Sequence, residues 1–419
     1  MVRRFVGVFC LLFLLLASAL AGRRVLRVAL YPYVPMQADM WLTVKSEFEA
    51  ENEDVRLQLV DLTADYYSPD GLANALKAKS VDVMEVDTLF ATDLANAGLL
   101  EPLPASALPA AVYMPVAERA VQVGGKVYGV PHWMCGNFLF FRKDDGDAAR
   151  LRKAKGLDAV LQVFGHPMAE SQSLLLYLHG KITLGELYLD ALLDKYGTPE
   201  GALAHVGDFE DQEWVRGQLS KLFLLSPGGM DANARNCDYG SIFQRMFGRR
   251  AARGFIGYSE DMHDAVDEAI HGVAAGGPAL TNIRFDKKTG AAIGADDIDA
   301  IGMPLAGSGT TQMAWVDMLS LRKGLGAQTG ADARRFLDFM SSRALARALL
   351  IPAPWSFQAP RYLLPARRDM FDDADLLRAA PIYGRLKTIM LGSTNVPRAG
   401  LFEELNRVGS EFELAGFLP

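Results

Sequence analysis

The sequence predicts an α/β protein with two lobes, in which helices cover a parallel sheet. Strand-like and helix-like segments alternate through the opening of the mature chain, and parallel strands need such crossover connections. The chain has 419 residues, of which 50% are hydrophobic and 22% are charged. That composition is typical of folded globular proteins, and the length is ample for a large core and more than one domain.

The alternation in the opening region follows from side-chain spacing. VLRVALYPYVP is strand-like and stops at a proline turn, and VRLQLVDL and VDVMEVD are predicted as further strands. Between them, Met40, Val44 and Phe48 have the spacing of one helix face, and GLANALKAKS is also helix-like. The helix in TLFATDLANAGLLEPLP ends near Gly98. These segments predict the order β-α-β-α-β-α.

The rest of the chain contains a second set of elements. KVYGVPHWMCGNFLFFRKD predicts a strand, a proline turn and a second strand, and RGFIGY predicts a strand that leads into a helix near Ser259. QMAWVDMLSLRK predicts another strand. We expect residues 150–270 and the tail after residue 330 to be mostly helical. Residues 272–312 are expected to form loops with one short strand. The expected parts are a signal peptide (1–21), a first lobe (22–133 with 312–419, whose helical end can span both lobes) and a second lobe (134–311).

Charge and the N-terminal pattern indicate an exported protein without a nucleic-acid partner. The net charge is -7, and the mature chain has no basic tract that could neutralise phosphates. Arg3 and Arg4 precede an apolar run over residues 5–16, and residues 19–21 form an A-x-A-like cleavage site. The run is too short for a membrane span, and no later stretch is long and apolar enough. We expect a secreted or periplasmic monomer with no membrane contact after cleavage.

Cysteines are few for an exported chain. Cys10 lies in the export signal, which leaves Cys135 and Cys237. A free cysteine is usually a small buried hydrophobe, and a Cys135–Cys237 disulfide is a second alternative. A thiol can also be kept for its reactivity. Cys135 is the candidate for that role, because VPHWMCGNFLFF places it where the chain crosses toward the second lobe, and binding clefts lie at such crossings.

Three carboxylates stand where they could share that cleft. Glu260 in GYSEDM occupies the first turn of a helix, a position that is also common for a solvated carboxylate near the helix dipole. Asp317 interrupts the apolar strand MAWVDMLSL, and Asp87 ends VDVMEVD. A buried charge is costly when unpaired, so both aspartates need a ligand, an arginine or a helix to cap. Glu260 is the candidate base, since a thiol needs a base to form its thiolate.

The order of elements resembles a two-lobed extracellular solute-binding protein of the type II periplasmic-binding-protein fold. The resemblance rests on the export signal and on VLRVALYPYVP, VDVMEVDTLF, GLLEPLP and KVYGVP. It implies two lobes, each a mixed sheet flanked by helices, with the site in the interlobe cleft. Taken alone, it implies a transport receptor without catalysis.

Three segments together resemble type I thiaminase, also called thiamine pyridinylase. They are YGVPHWMCGNFLFF, GYSEDM and WVDMLSL, in that order behind ALYPYVP. The resemblance implies that Cys135 is the nucleophile and Glu260 its base. It also implies a set of substrate-binding residues around the aminopyrimidine ring: Asp87, Asp317, Tyr33, Tyr67 and Tyr239, with Tyr31 and Tyr66 close to the expected tyrosine positions. The chain departs from the family pattern at His132 and Gly136, where the family has an amide and a polar residue.

The family resemblance implies a transferase that replaces the thiazole of thiamine with an organic amine or thiol, by ping-pong covalent catalysis without metal or cofactor. A non-catalytic binding protein for thiamine or a similar cationic heterocycle is the alternative. A cysteine peptidase that uses His132 is disfavoured, because residues three apart on a strand tend to point to opposite faces. The histidines also lack a zinc-ligand spacing such as H-E-x-x-H.

Overall fold

In the computed structural model the chain is a mixed α/β protein with two main sheets flanked by helices, which confirms the predicted fold class. Nothing is described for the predicted signal peptide, Cys237 or Tyr239, which lie outside the described residues. The described residues are 22–68, 70–165, 174–176, 180–225, 247–250, 252–271, 293–303, 305, 312–353, 356 and 358–414.

The strands form a six-stranded sheet in the order β12-β6-β11-β3-β1-β2, a four-stranded sheet in the order β10-β7-β9-β8, and a small hairpin of β4 and β5. Their bounds are β1 (Arg24–Ala29), β2 (Val55–Leu59), β3 (Val83–Asp87), β4 (Gln122–Val123), β5 (Lys126–Val127), β6 (Val130–Cys135), β7 (Asn137–Arg142), β8 (Leu174–Leu176), β9 (Gly254–Tyr258), β10 (Ile298–Gly302), β11 (Trp315–Leu321) and β12 (Leu364–Pro365).

Helices cover both sheets. None of the helices in the described ranges is long and apolar enough to cross a membrane. Their bounds are α1 (Gln37–Glu51), α2 (Gly71–Lys77), α3 (Thr88–Asn96), α4 (Pro115–Ala120), α5 (Ala148–Leu151), α6 (Gly156–Phe164), α7 (Gly180–Tyr196), α8 (Pro199–Ala204), α9 (Phe209–Phe223), α10 (Met262–His271), α11 (Ala327–Met340), α12 (Arg343–Leu350), α13 (Ala374–Ala379), α14 (Tyr383–Leu391) and α15 (Leu401–Leu414).

The opening β-α-β-α-β-α region forms as the spacing predicts. β1 pairs in parallel with both β2 and β3, and α1 and α2 make the crossovers. Met40, Val44 and Phe48 are the buried residues of α1. Because β3 lies inside the sheet, all five of its residues are buried, and its last residue, Asp87, reaches the sheet edge where α3 begins.

The expected proline turn before Cys135 is wrong, because Pro131 lies within β6. β6 is an internal strand between β11 and β12. The pairing places Asp317 opposite Trp133 but Met318 opposite Pro131, so His132 is an extra residue on β6. Such a β-bulge interrupts the hydrogen-bond ladder and accommodates a proline, which has no N–H to donate.

The chain crosses between the two sheets at Gly136. Cys135 is the last residue of β6 in the six-stranded sheet, and β7 of the four-stranded sheet starts at Asn137. A Cβ atom on Gly136 would lie 3.0 Å from Gln312 Nε2, beside the second crossing from β10 to β11. Gly136 is therefore packed closely against Gln312, which lies three residues before β11. The division into lobes at residues 133–134 and 311–312 stays a prediction.

Helix α7 is packed closely against the C-terminal helix α15. A Cβ on Gly185 would come within 2.3 Å of the Leu405 carbonyl oxygen, and one on Gly409 within 1.8 Å of the Lys181 carbonyl oxygen. Both positions therefore require glycine for this close approach. Leu187 of α7 and Leu405 of α15 belong to the same hydrophobic cluster, so α7 is packed against α15 beside the cavity described next.

Candidate active site

A cavity of about 520 Å³ lies between the two sheets. The six-stranded sheet contributes Asp87 from the end of β3 and Cys135 from the end of β6. The opposite wall comes from α7 and from the turn that follows β9, which carry Glu186 and Glu260. A concave site of this size, with several convergent polar groups, fits a small molecule.

Asp87 is fixed by two hydrogen bonds. As the N-cap of α3, its Oδ1 accepts from the Leu89 backbone N–H over 2.9 Å. Its Oδ2 accepts from the Tyr67 hydroxyl over 2.9 Å. Burial raises the pKa of Asp87 to about 6 despite these bonds. The capping alternative is therefore correct, yet the same carboxylate also lines the cavity.

Asp317 stands directly beside Asp87. The two residues are opposite each other in the antiparallel β3–β11 pair, and both are buried. Side chains on directly opposed residues are close neighbours. Burial raises the pKa of Asp317 well above its usual range, and the Asp87 charge raises it further. Two such carboxylates favour a cation, or a ligand that donates hydrogen bonds, between or above them.

Tyrosines form an aromatic wall next to this pair. The rings of Tyr33 and Tyr67 are stacked with centroids 5.6 Å apart, and Tyr31 and Tyr67 share a hydroxyl–hydroxyl hydrogen bond of 3.2 Å. Tyr31 also lines the cavity, whereas Tyr66 is fully buried behind it and accepts from the Asp87 backbone N–H. Tyr239 was predicted to line the cleft, but it lies outside the described residues.

Cys135 is half-buried on the cavity wall and is a free thiol. Burial raises the pKa of the thiol well above its usual range, and the charges of Glu260, Asp317, Glu186 and Asp87 raise it further. A base is therefore needed to form the thiolate. The alternative of a Cys135–Cys237 disulfide is therefore wrong, because the Cys135 thiol is free. Cys237 itself lies outside the described residues.

Glu260 occupies a tight turn between β9 and α10. The turn, Ser259–Asp261, is held by Asp261 Oδ2, which accepts from the Tyr258 backbone N–H over 2.7 Å. Ser259 donates its hydroxyl to Glu260 Oε2 over 3.1 Å. Burial raises the pKa of Glu260 to about 7, in the range where a general base works best near neutral pH.

Sequence reasoning missed two residues of the far wall. Glu186 of α7 is 4% exposed and lines the cavity, and its Oε2 accepts from the Tyr258 hydroxyl over 2.7 Å. The available signal was a pair of acidic residues one helical turn apart, Glu186 and Asp190, inside the apolar run ITLGELYLDALL. A charge within an apolar helix face indicates a buried site. Tyr258 stands two residues before Glu260, in the segment already singled out.

His132 does not form a catalytic pair with the thiol. Its Nδ1 lies 2.5 Å from Glu85 Oε1, and Glu85 Oε2 accepts from the Tyr31 backbone N–H over 2.8 Å. Both side chains are buried below the tyrosine wall. The His132–Glu85 pair therefore supports the position of Tyr31, and the cysteine-peptidase alternative loses its histidine.

One metal-like cluster occurs among the described residues, away from the cavity. His205, Asp208 and Asp211 bring ligand atoms within 4.8 Å of one another. However, the Lys195 ammonium pairs with Asp211, and the ring of Tyr196 stacks on His205 at 4.1 Å. These contacts satisfy the cluster as an ion-pair network.

Substituting Glu260 with glutamine is expected to change the pH dependence of stability. Folding raises the Glu260 pKa from 4.5 to about 7, so the native state favours the protonated carboxyl. The contribution of this group is fully present below pH 4.5 and is lost as the pH rises through about 7. At about pH 8, Glu260→Gln should exceed the wild type by up to about 3 kcal/mol in free energy of unfolding. Urea titrations at several pH values measure this, and a pH-independent difference would contradict it.

Comparison with known proteins finds similarity to thiaminases and to a two-lobed binding protein. No family model matches the chain. The chain is 28% identical over 383 residues to "Thiaminase-1" of Paenibacillus thiaminolyticus, covering 88% of this chain and 82% of that protein.

Two solved structures show the fold. "Clostridium botulinum thiaminase I in complex with thiamin" superposes with a TM-score of 0.71 at 20% identity, covering 93% of this chain and 100% of that one. The maltose-maltodextrin binding protein of Alicyclobacillus acidocaldarius gives a TM-score of 0.58 at 14% identity, covering 93% and 98%. The two-lobed fold of these structures is the fold of this chain.

Proposed function

We propose that this protein is a thiamine-degrading transferase of the thiaminase I type, which replaces the thiazole of thiamine with an amine or thiol. The similarity to Thiaminase-1 over most of the chain supports the substrate. The observation that carries the proposal is that the Cys135 thiol, the Glu260 carboxylate and the Asp87 carboxylate all line the same cavity. A binding protein has no need of a thiol and a base whose pKa is about 7.

In the proposed first half-reaction, Glu260 takes the proton of Cys135 and the thiolate adds to carbon C6 of the pyrimidine. Asp87 and Asp317 stabilise positive charge on the ring through its amino group and ring nitrogen. The electron pair that enters the ring forms a double bond from the ring to the methylene carbon, and the bond between this carbon and the thiazolium nitrogen breaks. Thiazole leaves as a neutral molecule, and the pyrimidine stays bonded to Cys135 with an exocyclic methylene.

In the second half-reaction an acceptor attacks that methylene and Cys135 departs. This order of events, with one product released before the second substrate reacts, is ping-pong catalysis. The acidic cavity suits a cationic substrate, since local charge attracts the thiazolium. The stacked pair Tyr33 and Tyr67 offers a flat surface to a flat ring.

Incubation with thiamine and an acceptor tests the proposal. Loss of thiamine with formation of the pyrimidine–pyridine adduct, followed by liquid chromatography and mass spectrometry, is the expected result. Tight binding with unchanged thiamine would instead establish the alternative, a non-catalytic binding protein for thiamine. The intact protein should also gain the mass of the pyrimidine when thiamine is supplied without acceptor.

Asp87→Asn is expected to weaken thiamine binding by about 10- to 100-fold, because a charged hydrogen bond contributes about 1.5–3 kcal/mol. Asparagine is also a good N-cap, so the bond from Leu89 to the side chain of residue 87 is retained and α3 stays intact. Isothermal titration with thiamine in a Cys135→Ser background measures binding without turnover. Unchanged affinity would remove Asp87 from the binding site.

We also propose that the protein acts after export. The pattern of residues 3–21 supports an export signal. Mass spectrometry of the N-terminus of the secreted chain tests this, and a mature chain that begins after Ala21 is the expected result.

A further inference from the structure

With an acceptor that loses a proton on bonding, the proposed reaction releases one proton more than the Cys135–Glu260 pair can account for. Glu260 receives the thiol proton in the first half-reaction and must return it when Cys135 departs. An acceptor that carries an S–H or N–H loses its own proton as it bonds to the methylene. That proton needs a second base in the same cavity.

Glu186 is placed to be that base. It lines the cavity from α7, on the wall opposite Asp87 at the end of β3. Glu186 is 4% exposed, so solvent does not compete strongly for its carboxylate. The Tyr258 hydroxyl donates to its Oε2 over 2.7 Å and fixes the orientation of the group.

The other carboxylates that line the cavity, Asp87, Glu260 and Asp261, have other partners or roles. Asp261 accepts from the Tyr258 backbone N–H over 2.7 Å. Asp87 accepts from the Leu89 N–H and the Tyr67 hydroxyl. Asp317 lies directly opposite Asp87 on the adjacent strand. Glu260 is needed to return a proton to the departing sulfur. Burial also raises the pKa of Glu186 well above its usual range, which increases the proton affinity of its carboxylate.

We propose that Glu186 accepts the proton of the incoming acceptor in the second half-reaction, with Tyr258 as the residue that positions it. This inference rests on the proposed function. The acceptor sulfur or nitrogen bonds to the methylene carbon, and its proton passes to the Glu186 carboxylate. The methylene π pair returns to the ring, the C6–S bond breaks with its electron pair on Cys135, and Cys135 takes back the proton from Glu260. Glu186 then releases its proton to solvent.

The test compares two acceptors that differ in one property. A thiol such as 2-mercaptoethanol has a proton to lose, whereas pyridine attacks through a nitrogen that carries none. Glu186→Gln should reduce turnover with the thiol by about 100-fold more than it reduces turnover with pyridine, since 100-fold is the usual scale for loss of a general base. With thiol present, the covalent pyrimidine adduct should accumulate in the variant, as seen by intact-protein mass spectrometry.

A matched control separates this role from a merely structural one. Asp190 lies one turn along α7, is buried, and accepts from the Met313 backbone N–H over 2.5 Å. Asp190→Asn should leave the thiol-to-pyridine rate ratio at the wild-type value, even if its overall activity falls. Tyr258→Phe should lower the ratio less than Glu186→Gln does.

The outcomes are distinct. Equal losses with both acceptors in Glu186→Gln, or no loss with either, would overturn the role of Glu186. Absence of the adduct and of thiamine loss in the wild-type protein would overturn the proposed function instead. Thermal unfolding of each variant identifies a folding defect, in which case Glu186→Asp, which keeps the carboxylate, should restore part of the thiol-dependent rate.

Discussion

Replacing Cys135 with serine is expected to abolish turnover of thiamine while binding is retained. Removal of a nucleophile costs on the order of 10⁴-fold or more in kcat. A serine hydroxyl is a far weaker acid than a thiol, and the carboxylates around residue 135 oppose formation of any anion there. The substitution is nearly isosteric, so the wall of the cavity should be unchanged. Steady-state rates with pyridine and thiamine affinity by titration measure the two parts separately.

Cys237→Ser is the matched control for this experiment, because it changes the other cysteine that follows the predicted export signal. It is expected to keep both turnover and the adduct mass. An active Cys135→Ser protein, or an adduct that maps to a peptide without residue 135, would show that Cys135 is not the nucleophile.

Glu260→Gln is expected to have the second-largest effect, a loss of about 10²- to 10⁴-fold in kcat/KM at neutral pH. Glutamine keeps the size of the side chain but accepts no proton from Cys135. Because the Glu260 pKa is about 7, wild-type kcat/KM should rise with pH through that value as the carboxyl loses its proton. The residual activity of the variant should not show this rise of kcat/KM with pH. The pH profile from about pH 5 to 9 measures both effects.

The stability of Glu260→Gln is a built-in control for its activity. The substitution should raise stability above neutral pH, because glutamine has no charge to bury where the Glu260 carboxylate would lose its proton, so a lower rate cannot be ascribed to unfolding. A variant that keeps the wild-type pH step would show that another group, such as Asp87 with its pKa of about 6, sets the profile.

The order of elements could be predicted from the sequence because side-chain periodicity reports it locally. Met40, Val44 and Phe48 mark a helix face by their spacing, and the structure buries all three. The β-bulge at His132 could not be predicted, since it depends on the pairing of β6 with β11, two segments far apart in the chain. A proline in a sequence indicates a turn more often than a bulge within a sheet.

The candidate site also has some residues that the sequence indicates and others that depend on contacts between distant segments. The resemblance drew attention to Cys135 and Glu260, and the structure places both on one cavity. Asp87 and Asp317 are strand neighbours only because β3 pairs with β11. Glu186 could not be identified from the sequence, because it reaches the cavity only if its face of α7 is turned toward it. The close contact of Gly185 with α15 determines which face that is.

The position of Cys135, one residue before the crossing at Gly136, has a mechanical consequence. If the two sheets separate by rotation about this crossing, each atom moves in proportion to its distance from the crossing, so Cys135 would be displaced less than Glu186 on the opposite wall of the cavity. A pyrimidine tethered to Cys135 would keep its contacts with Asp87 while the far wall withdraws. Such a rotation would allow thiazole to leave and the acceptor to enter while the pyrimidine stays bonded to Cys135.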